Sequence, residues 1–360
     1  MVKSSLGVEG SAAARAELLE HLFVTGVPTL WCPSLTHYTR DGAIDGRRVA
    51  AHLRHIAPHV KGFLIPGSTS DGWDLSEQEF WKLLETALEQ AKILKLHLLI
   101  GVLKPDPRDA LMLAEKVIDY VKDKSNQSDL LAAFVQARVC GIAICAPRGK
   151  GVSQTEMERG LTSVLETGAP VALYQLPQMT QNEIGPQLVA TLAERFPNFV
   201  LFKDSSGGDR VVLSGKNLGG VFTMRGAEGN YAQWFKAAGG AYDGFLLSTA
   251  NCFASELSGM IAGADEGKTA QVQLFSEKVT AVINEVFQLV QSVSKGNVFT
   301  NANKAIDHFF AYGPRATELP GPRLHAGICL PNAIIRQTGE VLEKYGLKPD
   351  EGYLGDERPR

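Results

Sequence analysis

Eight short apolar runs punctuate the chain. They are Val27–Trp31, Gly62–Ile65, His97–Ile100, Gly141–Ile144, Val171–Tyr174, Phe199–Phe202, Val221–Met224 and Gly244–Leu247. Each is too short for a globular helix, and each leads into a loop rich in Gly, Ser, Pro or Asp. Such runs predict strands buried on both faces, the pattern of a parallel sheet.

Between the runs, apolar residues recur at helical spacing. Ser76-Glu77-Gln78-Glu79 has the form of a capping box ahead of Phe80, Leu83, Leu84, Ala87 and Leu88, and predicts a helix over about 76–94. Asp109 to Tyr120, Ser153 to Glu166, Asn182 to Arg195 and Asn230 to Ala238 read the same way. The polar stretch Lys122 to Gln127 breaks the rhythm and predicts a surface insertion. Strands alternating with helices or long loops predict an α/β fold, a (β/α)8 TIM barrel, over residues 26–255. Glu266 to Lys295, Ala302 to Tyr312 and Asn332 to Tyr345 add a C-terminal helical region over 256–347. An N-terminal arm (1–25) and a Pro- and charge-rich tail (348–360) flank these regions.

Composition narrows the function classes. The chain has 360 residues, with 36 Lys and Arg against 39 Asp and Glu, so a basic nucleic-acid footprint is not expected. No apolar run reaches the length of a membrane span, and the start lacks the apolar core of a secretory signal. Five scattered cysteines without a CxxC pattern suit free thiols in a cytoplasmic protein.

In a barrel of this kind the active site lies at the C-terminal ends of the strands, so reactive side chains just after each run are the candidates. Lys203 ends the run Phe199-Val200-Leu201-Phe202. Apolar walls around it would desolvate the ammonium and lower its pKa, as a Schiff-base nucleophile requires. The bland alternative is a lysine emerging to solvent beside Asp204. Tyr174 ends Val171-Ala172-Leu173 and could relay protons to a bound carbonyl or hydroxyl, or simply pack as an amphipathic core residue. The loop Gly67-Ser68-Thr69-Ser70-Asp71-Gly72 could form a nest of N–H groups for a carboxylate or phosphate, or be an ordinary turn.

His52, His55 and His59 fall at helix-like spacing. Pro58 should end that helix, and a surface helix accounts for them better than a metal site. Glu228, in Arg225-Gly226-Ala227-Glu228-Gly229, could border the site as an acid–base group. Cys252 could lie near the pocket, without a neighbour that would lower its thiol pKa.

Taken in order, the GSTSDG loop, Tyr174-Gln175-Leu176-Pro177 and Phe202-Lys203-Asp204-Ser205-Ser206-Gly207 resemble the dihydrodipicolinate synthase / N-acetylneuraminate lyase family of class I aldolases. That family shows a GTTGE or GSTGE loop, a YNxP strand end and a strand ending in KDxS. Asp41-Gly42-Ala43-Ile44-Asp45, Leu75 to Glu79, Ser248-Thr249-Ala250-Asn251 and Asn303-Lys304-Ala305-Ile306 extend the resemblance over about 26–347.

The resemblance implies a (β/α)8 barrel with added C-terminal helices, usually assembled as a dimer or tetramer. Lys203 would form an imine with pyruvate or another 2-oxo acid, and Tyr174 would shuttle protons. Ser68 and Thr69 would hold the acid's carboxylate, with Leu247, at the end of the last run, among the substrate-binding residues. No metal and no cofactor are implied. The second partner would be an aldehyde, with neither nucleic acid nor membrane involved.

Departures from the family pattern redirect the specificity. Met179 stands where the synthases carry an arginine, and Ala146 to Gly151 lacks their relay tyrosine. Ser70, Asp71 and Gln175 replace the usual Gly, Glu and Asn. Arg148 and Lys150 could meet an anionic group on the second substrate, or form a solvated basic loop. A 2-keto-3-deoxy acid aldolase is the leading expectation. A dehydratase or hydratase-aldolase, dihydrodipicolinate synthase itself, and a non-catalytic 2-oxo-acid-binding barrel remain alternatives.

Overall fold

The computed structural model describes residues 8–355, 357 and 359. The first seven residues of the N-terminal arm, and residues 356, 358 and 360 of the tail, lie outside them. Eight parallel strands close into a barrel in chain order. They are β1 (Leu30–Cys32), β2 (Gly62–Leu64), β3 (His97–Val102), β4 (Val139–Cys145), β5 (Val171–Gln175), β6 (Phe199–Asp204), β7 (Phe222–Arg225) and β8 (Gly244–Leu246). Apart from the first residue of β7, every strand residue is buried, which is why the strands read as continuous apolar runs. All eight runs become strands. β1 starts later than its run because Pro28 has no N–H to give a ladder.

Fourteen helices are defined among the described residues. From the N-terminus they are α1 (Val8–Leu22), α2 (Gly46–Ile56), α3 (Glu77–Leu94), α4 (Pro107–Ser125), α5 (Leu130–Ala137), α6 (Gln154–Leu165) and the short α7 (Pro177–Thr180). After them come α8 (Pro186–Arg195), α9 (Arg210–Leu213), α10 (Tyr231–Trp234), α11 (Ala254–Asp265), α12 (Thr269–Val290), α13 (Val298–Tyr312) and α14 (Asn332–Lys344). α3 carries the expected capping box, with Ser76 Oγ accepting from Glu79 N and the Glu79 carboxylate accepting from Ser76 N. Ser153 and Glu156 build a second capping box on α6.

Three sequence expectations need correction, and one helix was not foreseen. Lys122 to Gln127 is no insertion: α4 continues into it as far as Ser125 and is capped by left-handed Asn126. α5 then follows, unforeseen, because LLAAFVQA has no polar periodicity to announce a helix. The helix expected from Asn182 begins only at Pro186. Gly185 is extended there, and Pro186 suits the first turn. The helix expected over 230–238 is broken, since Phe235 is extended between α10 and a 3-10 turn at Lys236–Ala238.

The chain forms two compact units. The first comprises the N-terminal residues through Thr29, His97–Ala227 and Ala241–Leu246. In it β3 to β8 pair side by side, and α1 packs on α5, α8 and β6. Arg15 of α1 is fully buried and donates from Nε to Phe199 O (2.6 Å), and from Nη2 to Ala193 O and Phe196 O (2.5 and 2.9 Å). Its Nη1 donates to Gly219 O. Four carbonyls, two of them at the end of α8, thus converge on one guanidinium.

The second unit holds Leu30–Leu96, Glu228–Gly240 and Leu247–Arg360. Here β1 and β2 pair through Trp31 and Gly62. A side chain at Gly62 would fall inside the Trp31 indole, so the glycine is what lets this fully buried ring fill its place. In the same unit α12 packs against α11, α13 and α14. No described helix is long and apolar enough to cross a membrane. All five cysteines are free, and only Cys329 is exposed.

Candidate active site

Lys203 is the penultimate residue of β6, and 4% of it is exposed. It pairs laterally with Tyr174 on β5 and Met224 on β7, and Tyr174 pairs with Cys145 on β4. Laterally paired residues of a parallel sheet share a face, so these four side chains form one layer. The Lys203 ammonium stands 3.9 Å from the centroid of the Tyr174 ring. Burial pushes the Tyr174 phenol well above its ordinary pKa, and the neighbouring Cys145 adds to the shift. The nearby Ser205 side chain works in the opposite direction. Burial likewise raises the Cys145 thiol, with Lys203 offsetting part of the rise.

The chain beyond β6 holds this layer in place. Ser205 N donates to Gln175 O (2.9 Å), and Gly226 N donates to Asp204 O (2.6 Å). A Cβ on Gly226 would come within 2.7 Å of Lys203 Cε and collide with Ser205 Oγ, so only glycine permits this approach. Asp204 accepts from Ser206 N (2.8 Å) and faces the Tyr242 hydroxyl (3.4 Å), and burial raises its carboxyl. Tyr242 donates to Asp209 (2.7 Å), which also accepts from Arg225 Nε (3.0 Å). Asp204 is therefore tied into its own network rather than offered to Lys203.

Arg148 and Lys150 are exposed and form no ion pair among the described residues. Their loop is latched to the α7 region, with Gly149 N on Thr180 O (2.8 Å) and Asn182 Nδ2 on Pro147 O and Gly149 O (2.7 and 3.0 Å). Met179 lies half-buried in α7.

The second unit carries the remaining candidates. Ser68 and Thr69 open a 3-10 turn just beyond β2, with Thr69 buried and Ser68 half-buried. Their carbonyls are tied back, Ser68 O to Asn297 Nδ2 (3.3 Å) and Thr69 O to Thr300 Oγ1 (3.2 Å). Neither N–H meets an acceptor among the described residues, which is the arrangement an anion nest requires. Asp71 closes the loop in a left-handed conformation and accepts from the Tyr38 hydroxyl (3.0 Å), with Lys304 Nζ at 3.5 Å. Leu247 is fully buried, and its N–H donates to Trp31 O (3.1 Å).

Glu228 is not placed as an acid–base group. Its carboxylate accepts from Ser248 Oγ and Thr249 Oγ1 (both 2.6 Å), Thr249 N (3.1 Å) and the Tyr231 hydroxyl (3.0 Å). Four donors saturate it as a strut. Burial keeps the Cys252 thiol un-ionised, with nothing beside it to reverse that.

The histidine helix is α2, and its histidines divide. His55 stacks on Tyr353 (4.3 Å between ring centroids). His52 is buried between Asn251 Oδ1 (2.9 Å) and Asp307 Oδ1 (3.0 Å). His37, His52 and Asp307 bring three metal-type ligand atoms within 4.8 Å of one another. The Arg48 guanidinium occupies the Asp307 carboxylate at 2.5 Å, however. Burial alone would raise that carboxyl, but Arg48 and His52 outweigh it and hold the group well below the usual carboxylate range. With its one acid already neutralised by an arginine, the triad does not suit a cation.

A parallel eight-stranded barrel with a buried lysine at a strand end, packed against a tyrosine, defines the class of protein. The sequence profile of the Dihydrodipicolinate synthetase family matches residues 132–296, a span that holds both side chains. Over that span the chain is similar to the family, as the resemblance implied, and the curated relatives it matches are named as synthases. The 4-hydroxy-tetrahydrodipicolinate synthase of Bacillus velezensis is 21% identical over 257 residues, 71% of this chain and 82% of its own length. The Streptomyces coelicolor enzyme called 4-hydroxy-tetrahydrodipicolinate synthase 1 is 26% identical over 262 residues, 71% and 77% of the two chains.

Solved structures agree on the fold. YagE of E. coli K12, a prophage protein of the dihydrodipicolinic acid synthase family solved with pyruvate, superimposes with a TM-score of 0.69 at 20% identity, over 88% of this chain and 98% of its own. A variant of the Sulfolobus solfataricus 2-keto-3-deoxygluconate aldolase gives 0.68 at 18%, over 89% and 97%.

Ser205 and Gly226 were not legible as site residues. The signal for Ser205 lay in the KDSS motif itself. The signal for Gly226 lay in a glycine directly after β7.

Proposed function

We propose that this enzyme is a Schiff-base aldolase that makes or cleaves a C–C bond next to the carbonyl of a 2-oxo acid, with pyruvate as one partner. The observation that carries the reading is the buried Lys203 amine at the end of β6, 3.9 Å from the Tyr174 ring. The amine adds to the C2 carbonyl, and loss of water leaves a protonated imine. That imine is an electron sink, so C3 gives up a proton and becomes the nucleophilic carbon of an enamine. The enamine attacks an aldehyde, whose oxygen takes a proton as the C–C bond forms, and water then hydrolyses the imine and frees Lys203.

Tyr174 handles the protons of the carbinolamine and of the new hydroxyl. Ser205, whose side chain acts on the phenol, is the partner through which the proton passes, a role suited to a chain whose 146–151 loop has no tyrosine. The nest at Ser68 and Thr69 takes the carboxylate of the 2-oxo acid. Arg148 and Lys150, exposed and unpaired, offer charge to an anionic aldehyde. Leu247 supplies an apolar wall. A 2-keto-3-deoxy acid is the preferred product class, because Met179 has no group with which to bind a second carboxylate. The enzyme acts without metal or cofactor, as a cytoplasmic homo-oligomer.

Incubation with pyruvate, reduction with borohydride and peptide mapping tests the reading. A pyruvate-derived mass on the peptide holding Lys203 supports it. No adduct from pyruvate or from a panel of other 2-oxo acids, on folded protein, overturns it.

A further inference from the structure

We propose a second ligand site in the unit that holds β1 and β2: a cleft that binds a phosphate-sized dianion, either free phosphate or the phosphate group of an ester. The cleft has a volume of about 80 Å³, which is room for several waters or for one tetrahedral oxyanion in their place. Its walls come from the loop after β1, the start of α2, the α13 helix and residues 320–329, together with Leu354, Glu357 and Pro359. It is distinct from the proposed reaction site, and Lys203, Tyr174, Ser68 and Thr69 are not among its lining residues.

Three observations point to an anion. First, among the described residues the lining holds five permanent cations, Arg40, Arg47, Arg48, Lys304 and Arg323, against three carboxylates. Two of those carboxylates are engaged already. Asp45 caps α2 by accepting from Arg48 N (3.0 Å), and Asp307 holds Arg48 (2.5 Å), His52 and the Tyr353 hydroxyl (2.9 Å). Second, Arg40, Arg47 and Arg323 form no ion pair among the described residues, and Arg40 and Arg47 are exposed. Guanidinium forks match the geometry of phosphate oxygens.

Third, His37 is 6% exposed and lines the cleft, yet its Nε2 has no hydrogen-bond partner. Asp307 Oδ2 stands 3.9 Å away, beyond hydrogen-bond range. An orphaned ring nitrogen is costly when buried, and an oxyanion in the cleft would relieve it by accepting from the Nε2–H tautomer. Arg48 argues against a metal on His37, His52 and Asp307, and the unpaired Arg40, Arg47 and Arg323 argue for an anion beside them.

One residue of the cleft also reaches the loop after β2. Lys304 lines the cleft and is the partner of Asp71, two residues beyond Thr69. An anion near Lys304 therefore competes with Asp71 for the same ammonium.

The test is calorimetric titration of the full-length protein with inorganic phosphate and, separately, with glycerol 3-phosphate, against chloride at matched ionic strength. The variant is Arg47→Gln/Arg323→Gln, and the His37 ring nitrogen is followed by 15N NMR. Saturable phosphate binding that weakens by about tenfold or more in the double variant, with the His37 nitrogen shifting on titration, supports the site. Tighter binding of the ester supports it too and assigns the ligand as an ester. Binding unaltered in the double variant, or no binding of either probe to the wild-type protein, overturns it. Borohydride trapping of pyruvate on the same double variant reports the aldolase separately, so failure of one proposal is not read as failure of the other.

Discussion

The ammonium of Lys203 lies 3.9 Å from the centre of the Tyr174 ring, across the lateral pairing of β5 and β6. The amine is thus held against the face of the ring, while Ser205 acts on the phenol. In the proposed reaction the lysine attacks and the tyrosine transfers protons, and the two roles should separate under mutation. Lys203→Ala should abolish both turnover and borohydride trapping and leave the circular dichroism spectrum unchanged. Tyr174→Phe should keep a trappable amine and lower kcat by on the order of 10²- to 10⁴-fold. Ser205→Ala should show a smaller loss of the same kind. Full turnover in Lys203→Ala would refute the imine mechanism.

Gly226 tests how closely the lysine is positioned. A methyl group there falls 2.7 Å from Lys203 Cε and strikes Ser205 Oγ, so the lysine stem must swing away from the ring. Gly226→Ala should slow imine trapping more than it lowers stability, with a stability loss of about 1–3 kcal/mol for the overpacking. Trapping kinetics measured beside a urea melt distinguish the two. A trapping rate equal to wild type would show that the close approach has no bearing on the amine.

Arg15 tests what joins α1 to its unit. Its removal leaves the carbonyls of Ala193, Phe196, Phe199 and Gly219 without their common donor in a buried setting. Arg15→Ala should therefore cost about 3 kcal/mol, an effect the urea midpoint reports. Arg15→Lys should recover little of it, because an ammonium cannot match four carbonyls arranged around a planar fork. Recovery by lysine would mean that charge alone matters at this position.

The barrel was legible because a strand buried on both faces leaves a short, continuous apolar run, and all eight runs became strands. Lys203 was legible for the same reason, as a charge interrupting the end of such a run. α5 was not, since a helix apolar around most of its circumference has no period to read. The supports of the site were hidden for a different reason. Gly226 meets Lys203, and Arg15 meets Phe199, only once distant segments are brought together by the fold. A glycine after a strand and an arginine in an N-terminal helix look ordinary until their partners are known. The spacing of His52 and His55 pointed to a surface helix, yet His52 is fully buried and bonded to Asp307, 255 positions further on.

Buried histidines give the last prediction, for stability against pH. Burial lowers His308, whose Nε2 lies 2.9 Å from Ala316 O, from its ordinary 6.5 to about 4, and His97 is lowered to about 4 in the same way. Both are neutral in the folded protein at pH 5, where the unfolded chain is protonated. The unfolded state thus binds more protons, and stability must fall as pH drops from about 6.5 toward 4. A single histidine with this shift contributes up to ~3 kcal/mol across that window. The Asp307 carboxylate, held below its ordinary value, acts lower down. Its contribution is present above about pH 4 and is lost as pH falls further. Urea midpoints between pH 7.5 and 4 should therefore decline most steeply below 6.5, and His308→Gln, which keeps a donor for Ala316 O, should flatten the slope. A midpoint independent of pH from 6.5 to 4.5 would show that these histidines are protonated in the folded protein.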